Sequence, residues 1–237
     1  MAEPLLAVSN LSAGYGDFQA LFGVSLAVAK GEVLSLVGAN GAGKSTLLRA
    51  ITGLVPCARD MVAFKGEAIG GYDADRIARR GIAMVPEGRR LFRSLSVEEN
   101  LVIGGEYGRP GSWNLAAVYA LFPILGEKRR LPATSLSGGQ QQMVAIGRAL
   151  MANPELIIFD EISLGLAPIV IKDIYAALPT IIGTGVAAIL VEQDVARALA
   201  FATRFACLQE GRVSLAGDPH AFSRAEITAA YFGAERH

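Results

Sequence analysis

Gly38-Ala-Asn-Gly-Ala-Gly-Lys44-Ser45-Thr46 is the stretch from which the rest of this chain is read. It fits the spacing G-x-x-x-x-G-K-[ST] and follows an extended apolar run, Glu32 to Val37. It opens a segment, Lys44 to Thr52, whose Leu47, Leu48 and Ile51 fall at helical spacing before Gly53. Strand, glycine loop and helix are therefore predicted in that order. Glycines let the backbone curl so that successive N–H groups point inward, and the helix start adds partial positive charge. Lys44 reaches terminal phosphates and Ser45 offers a hydroxyl to Mg²⁺, so the expected ligand is a nucleoside triphosphate. Composition alone yields such a match by accident in about one chain in a hundred of this length, and the flanking pattern makes it rarer.

Working outward, apolar stretches bounded by turn residues predict strands over Leu5 to Leu11, Leu21 to Ala29, Met61 to Lys65 and Gly81 to Val85. From about Ser96 to Leu125 the pattern is helical, broken by a loop at Tyr107-Gly-Arg-Pro-Gly-Ser112. A helix from Ser137 to about Ala152 is closed by Asn153-Pro154, and a buried strand, Leu156 to Asp160, follows. Helix, strand and helix then recur over Ile169 to Ile182, Ala187 to Val191 and Val195 to Phe201, before a hairpin at Glu210-Gly211 and a helical tail. Alternating strands and helices imply an α/β fold with a mainly parallel sheet covered on both faces. Asp160 and Glu161 stand at the carboxyl end of a strand, where ligands of open α/β sheets gather. Asp160 suits Mg²⁺ through water, and Glu161 suits the orientation or deprotonation of water attacking the γ-phosphorus.

The 237 residues carry 22 basic and 22 acidic side chains and are 52% hydrophobic, enough for a real core. Zero formal charge gives no reason to expect a nucleic-acid binder. No apolar run approaches the roughly 18 residues of a spanning helix. The start, MAEPLLAVSN, lacks the pattern of a secretory signal, so a cytosolic location is expected. Cys57 and Cys207 lie far apart without metal spacing and read as packing residues; His220 and His237 are isolated and receive no role. A mean hydropathy of +0.39 points to surface kept for a partner.

Leu136-Ser-Gly-Gly-Gln140 brings the motifs together, because with it the chain resembles the ABC ATPase family over essentially its whole length. The order matches too: phosphate loop, helical insert, signature, Asp-Glu strand end. The resemblance implies a P-loop NTPase fold of ABC type, with a mainly parallel core sheet, an antiparallel β edge and a helical subdomain. It implies one domain, with 1–88 and 153–237 as nucleotide-binding core and about 89–152 as the helical subdomain. It implies ATP and Mg²⁺, the nucleotide lying against Gly38, Asn40, Gly41, Ala42, Gly43, Lys44, Ser45 and Thr46, with Tyr15 stacked on adenine. Ser137, Gly138, Gly139 and Gln140 are then expected to face the ATP of a second subunit.

Several positions depart from the general family pattern together. Glu87, in Val85-Pro-Glu87-Gly-Arg-Arg90, stands where glutamine is usual, Gln193 where histidine is expected, and Ala167 where aspartate is usual. With the run Pro86 to Phe92 and Val97 to Leu101, this looks like the smaller ATPase subunit of branched-chain amino acid importers, although Ile162 replaces the proline usual after Asp-Glu. Catalysis is then assigned to Glu161, Lys44, Gln193 and Glu87, and the metal to Ser45, Glu87 and Asp160. Partners implied are a second ABC ATPase chain, itself or a related one, two membrane permease subunits and, indirectly, an extracytoplasmic solute-binding protein, placing the chain at the cytoplasmic side of the membrane. Arg89, Arg90 and Arg93 read either as a solvated basic face or as a docking patch for a membrane subunit. Two rival readings stand beside this one: a module that closes on ATP without hydrolysing it, against which the retained Glu161 speaks, and a soluble ABC protein of DNA repair or translation with no membrane partner, which would be expected to carry a long coiled-coil insert or two ATPase domains.

Overall fold

The structure is a computed structural model and describes residues 3–232. In chain order it begins with β1 (Leu6–Tyr15), β2 (Phe18–Val28), β3 (Val33–Val37), α1 (Lys44–Ile51), β4 (Val62–Phe64), β5 (Glu67–Ala68) and α2 (Ala74–Arg79). β6 (Ile82–Val85), α3 (Val97–Gly105), α4 (Leu115–Leu121), α5 (Pro123–Glu127), α6 (Gly138–Met151), β7 (Leu156–Asp160) and α7 (Pro168–Ile182) follow. The last elements are β8 (Ala187–Val191), α8 (Val195–Ala200), β9 (Arg204–Gln209), β10 (Arg212–Gly217) and α9 (Arg224–Phe232). Contacts gather these into two compact units, one made of residues up to Ile77 with those from Ala187 onward, the other Ala78–Val186.

In the first unit β3 is buried along its whole length and pairs in parallel with β8 on one side and β9 on the other. Both faces are covered, so Val-Leu-Ser-Leu-Val has no polar alternation. β9 turns back into β10 through Glu210 and Gly211, both at positive φ (46° and 72°), the geometry of a tight two-residue hairpin. Phe205 and Cys207 of β9 pack with Val37, Ala198 and Ile227, and Phe222 meets Phe205 edge-on at 5.6 Å. Cys207 is thus a core residue as expected, whereas Cys57 is only half-buried; both are free thiols. A second, antiparallel sheet runs β2-β1-β4-β5.

The second unit pairs β6 with β7 in parallel and packs α3, α4 and α5 on α6. Gly104 of α3 lies so close to α6 that a Cβ would sit 2.0 Å from the Arg148 carbonyl; only glycine allows this approach. α3 is started by a capping box: the Glu99 amide donates to the Ser96 hydroxyl (3.2 Å) while the Ser96 amide donates to the Glu99 carboxylate (2.8 Å). Hydrogen bonds from the Ser96 backbone and hydroxyl hold the Glu99 carboxyl below its ordinary value, outweighing burial.

The α/β class, the parallel core pairing and the antiparallel strands agree with the sequence reading. β1 and β2 run longer than the alternation predicts, to Tyr15 and from Phe18. Their register shifts between Val8 and Leu11, Leu11 and Ala13, and Ala13 and Gly14, with Asn10 at φ 48°; each bulge breaks the period-2 pattern that marks a strand. α2 and β5 carry no periodic signal: α2 buries only Ile77, and β5 is two residues long. Among the described residues no helix is long and apolar enough to cross a membrane.

Candidate functional site

The glycine loop lies in the first unit, between β3 and α1. Gly38 adopts φ 153°, and a Cβ there would meet the Leu208 carbonyl at 2.3 Å, so both conformation and space demand glycine. Asn40 and Gly41 are exposed, Ala42 is buried, and Gly43, at φ 101°, is the N-cap of α1. Lys44 is buried, and its ammonium donates to the carbonyls of Gly38 (2.7 Å) and Ala39 (3.0 Å). A buried cation is tolerable because the loop's own oxygens receive it. No side chain caps α1 and its first turn holds no acid, so the positive end of the helix is left for an anion. Ser45 is half-buried and Thr46 buried in that first turn.

Tyr15, the last residue of β1, is 45% exposed. The Arg49 guanidinium of α1 donates to its hydroxyl at 3.0 Å. Burial pushes the phenol up, but hydrogen bonds with Thr46 and Arg49, together with the Arg49 charge, leave it below the ordinary tyrosine value. Gln193 follows β8, exposed to solvent. Next to it Asp194 caps α8, accepting from the Arg197 amide at 3.1 Å. His220 lies in a short turn after β10 and its amide donates to Asp218; His237 falls outside the described residues.

The remaining predicted residues lie in the second unit. Glu87 is exposed in the loop after β6, and Gly88, Arg89 and Arg90 behind it all have positive φ (75°, 65° and 45°). Arg148 of α6 holds that turn, donating to the Arg90 carbonyl at 2.9 Å and the Arg89 carbonyl at 3.1 Å. Asn100, buried in α3, accepts from the Phe92 amide and donates to the carbonyls of Phe92 and Ser96. Arg89, Arg90 and Arg93 line a cavity of about 430 Å³ with Thr134 and Gln141.

Ser137 is the N-cap of α6, and Gly138, Gly139 and Gln140 form its first turn. Ser137 and Gln140 make a reciprocal capping box, and Lys128 donates to the Gln140 side chain at 3.2 Å. The side chain of Gln140 thus closes the helix start. Asp160 ends β7 buried, and Glu161 follows at φ 48°, a left-handed conformation rare for glutamate and common at functional turns. Ile162 is buried, and Ala167 begins α7 without a side-chain cap, a role its missing carboxylate would suit; Pro168 at the first helical position supports the start instead.

The structure thus gathers Tyr15, the glycine loop and Gln193 in one unit, and Glu87, Ser137 to Gln140, Asp160 and Glu161 in the other. Sequence reasoning missed Arg49, Asn100 and Arg148. Each acts through a partner 34, 8 or 58 and 59 positions away, and no local pattern announces it.

Residues 21–163 match the family model described as ABC transporter. The chain is 45% identical to the high-affinity branched-chain amino acid transport ATP-binding protein BraG of Pseudomonas aeruginosa, over 88% of this chain and 91% of that protein. It is 34% identical to the methionine import ATP-binding protein MetN of Mesorhizobium japonicum, over 99% of this chain and 67% of that one. It superposes with TM-score 0.79 on a dimeric ATP-binding cassette in a post-hydrolysis state with ADP and phosphate, at 25% identity, covering 90% of this chain and 98% of that one. With the glycine loop, the Ser-Gly-Gly helix start and the Asp-Glu strand end in place, these matches settle membership: the chain belongs to the ABC transporter family, as an ATP-binding subunit.

Proposed function

We propose that this chain is the Mg²⁺-dependent ATPase subunit of an amino-acid importer, with branched-chain amino acids as the solute class. The observation that carries the ATPase reading is the α1 start, uncapped and free of acids, whose first residue, buried Lys44, turns its ammonium back onto the carbonyls of the loop before it. The solute class rests on likeness to BraG, to which the chain is more similar than to the methionine-import relative.

The residues offer Mg²⁺ hard oxygen donors, the Ser45 hydroxyl and the carboxylates of Asp160 and Glu87. Among the described residues no group of three or more histidines, cysteines or carboxylates gathers into a metal cage. That donor set fits an ion that keeps waters and phosphate oxygens as ligands. When bound, Mg²⁺ neutralises charge on the transferred phosphoryl group. Lys44 takes the terminal phosphates, exchanging loop carbonyls for phosphate oxygens. Tyr15 supplies a face for adenine. Glu161 orients or deprotonates the attacking water, and Glu87 and Gln193 sense the γ-phosphate. Gln193 donates a hydrogen bond but gains no proton near pH 6.5, so hydrolysis lacks a histidine-type inflection.

Ser137, Gly138 and Gly139 are offered to the nucleotide of a second ATPase chain, and ATP closes the pair. Segment 89–152 serves as the helical subdomain that meets two permease subunits on the cytoplasmic face, with 1–88 and 153–237 as the nucleotide-binding core. Arg89, Arg90 and Arg93 belong to that docking surface, and a solute-binding protein delivers the cargo outside. The test is Mg²⁺-dependent ATP hydrolysis by the purified chain across protein concentration, with Glu161→Gln alongside. Activity that rises with concentration and disappears in the variant supports the reading. An active Glu161→Gln variant would contradict the role of Glu161.

A further inference from the structure

Thr46 and Arg49 stand three positions apart on α1, so they share one face of the helix. The Tyr15 hydroxyl meets this face: Arg49 donates to it at 3.0 Å. Thr46 belongs to the turn that follows Lys44, whereas Tyr15 ends a strand 31 residues earlier by the numbering. The tyrosine sits at a hairpin tip opposite Phe18, joined by Gly16 and Asp17, and is 45% exposed. The backbone of Arg49 is fixed near the end of α1, where its carbonyl accepts from the amides of Leu54 (2.8 Å) and Val55 (3.1 Å).

We infer that Arg49 is a positioning residue for the nucleotide base: it holds the Tyr15 ring in the orientation that stacks on adenine, so that α1 sets the base platform as well as the phosphate cradle. The inference rests on the proposed stacking role of Tyr15 and adds to it the residue that fixes the ring. An untethered tyrosine loses rotamer freedom when it stacks; a ring already held by its hydroxyl loses less. The benefit falls on the base alone. A triphosphate without a base gains nothing from it.

The test is equilibrium binding of ATP and of inorganic tripolyphosphate to the full chain and to Arg49→Ala, Arg49→Lys, Tyr15→Phe, Tyr15→Ala and the Arg49→Ala/Tyr15→Phe double variant. Arg49→Ala is expected to weaken ATP about two- to tenfold, the effect of freeing one side chain, and to leave tripolyphosphate unchanged. Tyr15→Phe, which keeps the ring and removes its tether point, should match it. The double variant should lose no more than either single one, since both remove the same link. Arg49→Lys should recover part of the affinity. Equal weakening of ATP and tripolyphosphate by Arg49→Ala would overturn the inference, making Arg49 a charge that acts on phosphate. Additive losses in the double variant would also overturn it. Loss in Tyr15→Ala with none in Arg49→Ala would overturn the positioning role and leave stacking standing. ATP affinity unchanged in Tyr15→Ala would remove the stacking role itself.

Discussion

Two helices of this chain begin at glycine-rich turns, and they begin in opposite ways. α1 starts after Gly43 at φ 101°, without a side-chain cap and without an acid in its first turn. α6 starts after Ser137 in extended backbone, with its first turn closed by the reciprocal bonds of Ser137 and Gln140. A helix start leaves backbone donors that something must receive. At α6 the protein supplies the acceptor; at α1 it supplies none from a side chain and buries a cation beside the gap. The α6 end is finished by the fold. The α1 end is left open, which suits the anionic ligand proposed for it.

The sharpest way to break this contrast is Lys44→Ala. Removing the ammonium proposed to take the terminal phosphates should weaken ATP by about 100-fold or more in a direct binding titration. Retained affinity would mean that the α1 end does not depend on its lysine. Next comes the same change made in the loop that leads into α1 and in the first turn of α6. Gly38→Ala forces a Cβ against the Leu208 carbonyl at positive φ and should cost about 1–3 kcal/mol in denaturant unfolding. Gly138→Ala meets only the flexible guanidinium end of Arg89, at 3.1 Å, and should stay within about 0.5 kcal/mol of wild type while hydrolysis falls. Equal destabilisation by both would erase the distinction between a strained loop and an ordinary helix start.

Ser137→Ala should cost about 1 kcal/mol, the usual value of a cap, with ATP binding by the dilute chain unchanged. The smallest effect concerns the Ser96–Glu99 box of α3. The Glu99 carboxyl is held below its ordinary value, so its capping contribution is present above the unfolded value and lost as pH falls through the lowered one. Amide exchange across Ser96 to Leu101 should speed up below the ordinary carboxylate range, beyond the intrinsic pH dependence. Glu99→Gln should lack that extra step. Identical profiles for both proteins would contradict the assignment.

What could be read in the sequence was what is written locally. The glycine loop, Ser137-Gly-Gly-Gln140 and Asp160-Glu161 are contiguous because each needs neighbouring backbone groups in one turn. Buried strands such as Leu156 to Asp160 announce themselves through unbroken apolar runs. The β1–β2 hairpin was only half legible, since its bulges destroy alternation beyond Val8. Arg49, Asn100 and Arg148 were invisible as functional or structural anchors. An arginine in a helix looks like surface charge until the fold brings Tyr15 to Arg49, or the carbonyls of Arg89 and Arg90 to Arg148. The second role of Gln140, as partner of the Ser137 amide, lay in plain view as a capping box and was obscured by its place in the signature.

Amide hydrogen exchange on Glu161→Gln, with and without Mg²⁺-ATP, tests the contrast between the two helix ends most directly. In protein too dilute to pair, ATP should slow exchange over residues 41–46 and leave residues 137–141 unchanged; raising the protein concentration should then protect 137–141 as well. Protection of 137–141 in the dilute chain, or none over 41–46, would contradict it.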